Sequence, residues 1–101
     1  MRVGSIAVGR SGDKASTLDL TLVAVRPEDY CWLETRVTQS VAQAALAAVM
    51  PGTVTRYEVP GLHALKFVVE DALPGGVYAT LHAGLHWQKA AIWILLDLEL
   101  D

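Results

Sequence analysis

Five consecutive residues, Arg10-Ser11-Gly12-Asp13-Lys14, set a guanidinium, a hydroxyl, a carboxylate and an ammonium beside two glycines, Gly9 and Gly12. Glycines let a loop present successive backbone N–H groups, and two cations in the same concavity would hold a phosphate or a carboxylate. The expected chemistry is an anion cradle. A plainer alternative is a polar hairpin or crossover loop in which Arg10 pairs with Asp13. The order Gly4-x4-Gly9-Arg10-Ser11 approaches a phosphate-loop motif, but Arg10 stands where lysine is required and Gly12-Asp13 falls where a helix should begin. That motif is rejected.

Other reactive side chains are sparse. His63 follows Pro60-Gly61 at the expected mouth of a helix, where an imidazole is either a proton carrier or a hydrogen-bonding structural residue. His82 and His86 are four apart, but Gly84 lies between them and no cysteine or carboxylate nearby completes a ligand set, so no metal is expected. Cys31 sits in a first helical turn that would lower its pKa, yet Glu28, Asp29 and Glu34 oppose a thiolate there. Ser5, Ser11, Ser16 and Ser40 form no Gly-x-Ser-x-Gly elbow. Catalytic residues therefore stay unassigned, and no cofactor is expected.

The elements that must carry these residues are legible as periodicity. Val3–Val8 reads as a strand and Gly9–Ser16 as the loop that follows it. Thr17–Val25 alternates, with Leu18, Leu20, Leu22 and Ala24 against Thr17, Asp19, Thr21 and Val23. Pro27-Glu28-Asp29 starts a helix that Thr38-Gln39-Ser40 could divide in two and that Pro51-Gly52 ends. Thr53–Val59 is a strand closed by Pro60-Gly61. Leu62, Leu65, Val69 and Ala72 fit a second helix, with a strand over Ala64–Val69 as the alternative. Val77–His82 reads as a strand. His86–Leu98 reads as a helix without a continuous polar face, and a C-terminal strand is its alternative. The order predicts a two-layer α/β (α+β) sandwich, about four strands in a mixed or antiparallel sheet with helices on one face.

Composition bounds the function. The 101 residues fit one domain spanning 1–101, and 52% hydrophobic against 19% charged residues exclude a disordered chain. Eight scattered Lys and Arg within a net charge of −3 leave no basic stripe, so no nucleic-acid partner is expected. The strongly apolar run Ala90–Leu96 is far short of a bilayer span, so no membrane partner is expected either. A single cysteine and the absence of a signal-peptide pattern point to the cytoplasm. Helices on one face leave Thr21, Val23, Val25, Tyr57, Val59 and Tyr78 on the other, and with the apolar last helix this predicts a homo-oligomer, most simply a dimer.

Three segments carry a resemblance: Val8-Gly9-Arg10-Ser11-Gly12-Asp13-Lys14, then Arg26-Pro27-Glu28-Asp29-Tyr30 before Trp32-Leu33, then Arg56-Tyr57-Glu58-Val59-Pro60-Gly61-Leu62-His63-Ala64-Leu65. In this order they resemble the AtuA-like ferredoxin-fold domain, found at the C-terminus of the acyclic terpene utilisation protein and as a short separate chain. The resemblance implies a ferredoxin-like sandwich in a bacterial cytoplasm, beside enzymes of branched or terpenoid acyl-CoA catabolism, and brings no reaction with it. The chain departs from the usual pattern at Ala15, Ser16, Asp19 and Thr21, at Lys66 where asparagine is frequent, and at Pro74.

The expected function is an auxiliary, oligomerising module that associates with a larger AtuA-like subunit and contributes Arg10–Lys14 to a shared site. The alternative is a small enzyme or binding domain for an anionic acyl-CoA or hydroxy-acid metabolite, with Arg10 and Lys14 holding the anion and Asp13 or His63 moving a proton.

Overall fold

A computed structural model describes residues 1–14, 17–47, 52–70 and 90–101, the side chains of Asp13 and Lys14 excepted. Strand β1 runs Ala7–Lys14, β2 Thr17–Ala24, β3 Thr53–Val59 and β4 Ala64–Glu70. Helix α1 covers Tyr30–Arg36 and α2 covers Gln39–Leu46, and residues 90–96 are helical, here termed α3. The expected strand Val77–His82, with Tyr78, lies outside the described residues, as do His82, His86 and Pro74.

The four strands form one antiparallel sheet in the order β1-β2-β4-β3. β2 and β3 run parallel to one another with β4 between them, connected through α1 and α2. That is the split βαβ arrangement of ferredoxin-like folds. Among the described strands β1 lies outermost on the other side, beside β2.

Alternation decides which face is core. Leu18, Leu20 and Leu22 of β2 and Leu65, Phe67 and Val69 of β4 are fully buried against the helices, with Leu33 and Val37 from α1 and its C-cap and Leu46 from α2. Each such side chain contributes about 2 kcal/mol by leaving water. The opposite sheet face holds Val8, Arg10 and Gly12 of β1, Asp19, Thr21 and Val23 of β2, Lys66 and Val68 of β4, and Thr55, Tyr57 and Val59 of β3, as the register requires. Val8 and Tyr57 are about half exposed, at 53% and 51%.

Three expectations are corrected. Val3–Ser5 is a 3-10 turn rather than the start of a strand, because Val3 and Ile6, three apart, both turn into the core. The residues expected to form a loop, Gly9–Lys14, lie within β1 and pair from Gly9↔Leu22 to Lys14↔Thr17. Glycine and charged residues are poor strand formers, but the alternating β2 supplies a complete ladder, and such residues suit a sheet edge. The second helix is replaced by β4, where Leu65, Phe67 and Val69 bury at period two.

The divided first helix is observed. Arg26 to Asp29 lead through a proline-started 3-10 turn into α1, and Thr38 then caps α2, its hydroxyl accepting from the Val41 N–H at 3.2 Å. Gln39 and Gln43, one turn apart on α2, accept from the Arg56 and Val54 N–H groups at 3.0 and 2.8 Å. They close the outer edge of β3. α3 buries Ala91, Ile92, Leu95 and Leu96 on one stripe and leaves Trp93 52% exposed, so its described part is amphipathic rather than covered all round. Ile92 and Leu96 sit directly on Gly9, where a Cβ would lie 2.5 Å from Ile92 Cγ1. No helix of the described residues is long and apolar enough to cross a membrane.

Candidate functional site

Strand geometry sorts the five residues singled out above. Alternation carries Arg10 and Gly12 to the sheet face away from the described helices, opposite Thr21 and Asp19, while Ser11 pairs with Leu20 on the helix side. Asp13 and Lys14 pair in register with Leu18 and Thr17; what was expected of their side chains lies outside the described residues.

Around Arg10 the sheet surface is concave. A depression of about 230 Å³ is lined by Arg10, Ser11, Gly12, Asp19 and Thr21. Gly12 supplies its floor: a Cβ built there would have no heavy atom within 4 Å. Arg10 is exposed and, among the described residues, makes no ion pair or side-chain hydrogen bond. Asp19 instead holds Lys66 at 2.9 Å across the β2–β4 pair. In one row across the sheet stand Arg10, Thr21, Lys66 and Tyr57, each facing the next strand's residue in register. Asp19 and Lys66 are thus each other's partner.

Asp19, Thr21 and Lys66 were not named as site residues from sequence. One signal was available: β2 places polar Asp19 and Thr21 at alternate positions facing away from its leucines. What the sequence could not supply was the register that sets them beside Arg10.

His63 is elsewhere. It sits in the turn before β4, not at a helix mouth, with φ 53° and ψ 46°, the left-handed conformation uncommon outside glycine. Its carbonyl accepts the Ala24 N–H at 2.9 Å, and its ring meets Tyr30 edge-on at 5.9 Å. It does not line the depression. Among the described residues the Tyr30 hydroxyl is buried without a hydrogen-bond partner. Burial raises its pKa above the ordinary 10.0, helped by the carboxylates of Glu34 and Glu58 and opposed by Arg56.

Arg56, part of the third recognised segment, is a tether rather than a ligand group. Its Nε and a terminal nitrogen donate to the Val37 and Glu34 carbonyls at 3.0 and 2.7 Å, and the other terminal nitrogen pairs with Glu58 at 2.9 Å. It satisfies carbonyls at the end of α1 that the helix leaves open. Among the described residues no cluster of His, Cys, Asp or Glu could hold a metal ion.

The whole chain, residues 1–101, matches the AtuA ferredoxin-like domain. The chain belongs to that family. No curated protein and no solved structure matches it. Within the AtuA ferredoxin-like frame, the Arg-Ser-Gly-Asp-Lys block is therefore a strand, outermost among the described ones on its side, whose alternate residues face a concave sheet surface, and the Arg56-to-His63 block is the hairpin that locks α1 to the sheet.

Proposed function

We propose that this chain is an auxiliary binding module: it oligomerises, associates with a larger AtuA-like subunit acting on branched or terpenoid acyl-CoA intermediates, and lends the Arg10 depression to a shared site. One observation carries this reading. An exposed guanidinium stands over a concavity of about 230 Å³, on the sheet face away from the described helices, without an ionic partner among the described residues. Bidentate recognition of a carboxylate or phosphate is what a guanidinium so placed offers. A depression this small, built on one sheet surface, holds part of a metabolite, which favours a site completed by another chain.

A second reading, a small enzyme or stand-alone binding domain for an anionic acyl-CoA or hydroxy-acid metabolite, is favoured by Asp19, a carboxylate in the depression itself. The two separate on simple measurements. Co-expression with a larger AtuA-like subunit is expected to yield a complex that co-elutes in gel filtration. CoA thioesters are expected to raise the melting temperature of the chain, and Arg10→Ala to abolish the rise. Absence of both effects would remove this reading; turnover of a thioester or hydroxy acid by the isolated chain, lost in Asp19→Asn, would replace it with the second.

A further inference from the structure

We infer that the Arg10 depression selects a hydroxy acid: a monoanionic carboxylate carrying a neutral hydroxyl on a nearby carbon. The inference rests on the reading of the depression as a binding site and adds the class of group it takes. Charge comes first. Asp19 is paired with Lys66, and among the described side chains lining the depression Arg10 is the charge without a partner. A carboxylate neutralises it. A phosphate dianion would overshoot beside the Asp19 carboxylate, and a zwitterion would leave the charge in place.

Donor and acceptor types give the second half. The guanidinium has a planar fork of donors that matches a carboxylate. Asp19 only accepts; Lys66 engages its Oδ2, and among the described residues no side chain engages Oδ1, which accepts from a ligand donor. Thr21 sits directly opposite Arg10 in the register with a hydroxyl that serves either way. Arg10 and Asp19 are diagonal neighbours across β1 and β2, about 7 Å apart at Cβ. A carboxylate on the guanidinium thus leaves a hydroxyl on its α- or β-carbon within reach of Asp19. Gly12, opposite Asp19, keeps the space between them open.

Gly12 also provides a substitution that tests the site without breaking the fold. Any side chain there enters open space, the position is within a strand, and a β-branched residue favours that conformation. Gly12→Val is expected to melt no lower than the parent and to lose binding.

The experiment titrates the full chain with 3-hydroxybutyrate, butyrate, β-alanine and inorganic phosphate at fixed ionic strength, following backbone amide shifts of Arg10, Asp19 and Thr21. 3-Hydroxybutyrate is expected to bind about tenfold more tightly than butyrate, the worth of one additional hydrogen bond at a solvated site. β-Alanine and phosphate should bind more weakly still. Asp19→Asn should narrow the gap between 3-hydroxybutyrate and butyrate and strengthen phosphate. If butyrate equals 3-hydroxybutyrate, or phosphate or β-alanine binds best, the hydroxy-acid inference is wrong while the binding site stands. If no probe moves these amides, or Gly12→Val binds as the parent does, the site itself is refuted.

Discussion

Two residues in contact, His63 in the turn before β4 and Tyr30 at the start of α1, are held in states their chemistry resists. His63 takes a left-handed backbone that costs a residue with a Cβ about 1 kcal/mol, and the 3-10 turn Pro60–Leu62 together with the Ala24-to-His63 hydrogen bond keeps it there. Ordinarily alanine is the more stabilising replacement, because glycine loses more freedom on folding. Here the order should invert: His63→Gly is expected to unfold at higher denaturant than His63→Ala by about 1 kcal/mol. Both variants lose the Tyr30 contact, so the comparison isolates the backbone. Tyr30 makes a second case. Its pKa is raised by burial, so the folded chain keeps the phenol proton at pH values where the unfolded chain has released it. Stability from this group is therefore complete below pH 10.0 and lost as pH rises through the raised folded value. Tyr30→Phe removes a hydroxyl with no partner among the described residues. Urea melts should show Tyr30→Phe unchanged or slightly more stable at pH 7, with a shallower alkaline decline than the parent. A steeper decline would contradict the assignment.

At the scale of elements, the edges of the sheet are held by different devices. β3 is tied to the helices through Gln39, Gln43 and Arg56, whose side chain gathers the Glu34 and Val37 carbonyls and the Glu58 carboxylate while only 15% exposed. Arg56→Ala would leave helix-end carbonyls without donors and should cost about 3 kcal/mol in a denaturant melt. Arg56→Lys should recover little, since one ammonium cannot span three acceptors. β1 is held instead by the close seating of α3 on Gly9. Gly9→Val would drive a side chain into Ile92 and Leu96 and should destabilise by about 3 kcal/mol, whereas Gly12→Val, two residues along the same strand, should not. These contrasts also explain what could be read in advance. β2 announces itself because alternate residues differ in polarity along the strand, and β3 because a short β-branched run is bounded by Pro51-Gly52 and Pro60-Gly61. β1 does not: Gly9, Arg10, Gly12, Asp13 and Lys14 lack β propensity, and the ladder with β2 is a tertiary fact. β4 was ambiguous because Leu62, Leu65 and Val69 fall at helical spacing while Leu65, Phe67 and Val69 fall at strand spacing, and only the neighbouring strands decide between them. Arg10 could be picked out by type alone. Asp19, Thr21 and Lys66 join it through register, which no local window contains.

For the whole molecule, the proposed self-association and the proposed ligand meet on one surface. Val8, Val23, Tyr57 and Val59 give the uncovered face its apolar part, and Arg10, Asp19, Thr21 and Lys66 sit among them rather than at a separate end. A twofold dimer pressed together on this face would bury the depression, and binding to one state must then change the population of the other. The sign follows from access. If the dimer closes the depression, a hydroxy acid binds the monomer better, and saturating 3-hydroxybutyrate should weaken dimerisation in sedimentation equilibrium by the same factor that dimerisation weakens the ligand. Tyr57→Lys, on the apolar part of this face and outside the depression, should give monomers with ligand affinity intact or improved. Association through the exposed Trp93 on α3, on the other side of the sheet, predicts the contrary: dimer stability indifferent to ligand and to Tyr57→Lys, but lowered by Trp93→Ala. Trp93 lies against Arg2, whose guanidinium is 6.0 Å from the ring and paired with Asp97 at 2.7 Å, so that indole is already partly engaged within its own chain. The sheet face is therefore the expected interface, and coupling between ligand and dimer is the measurement that distinguishes the two surfaces.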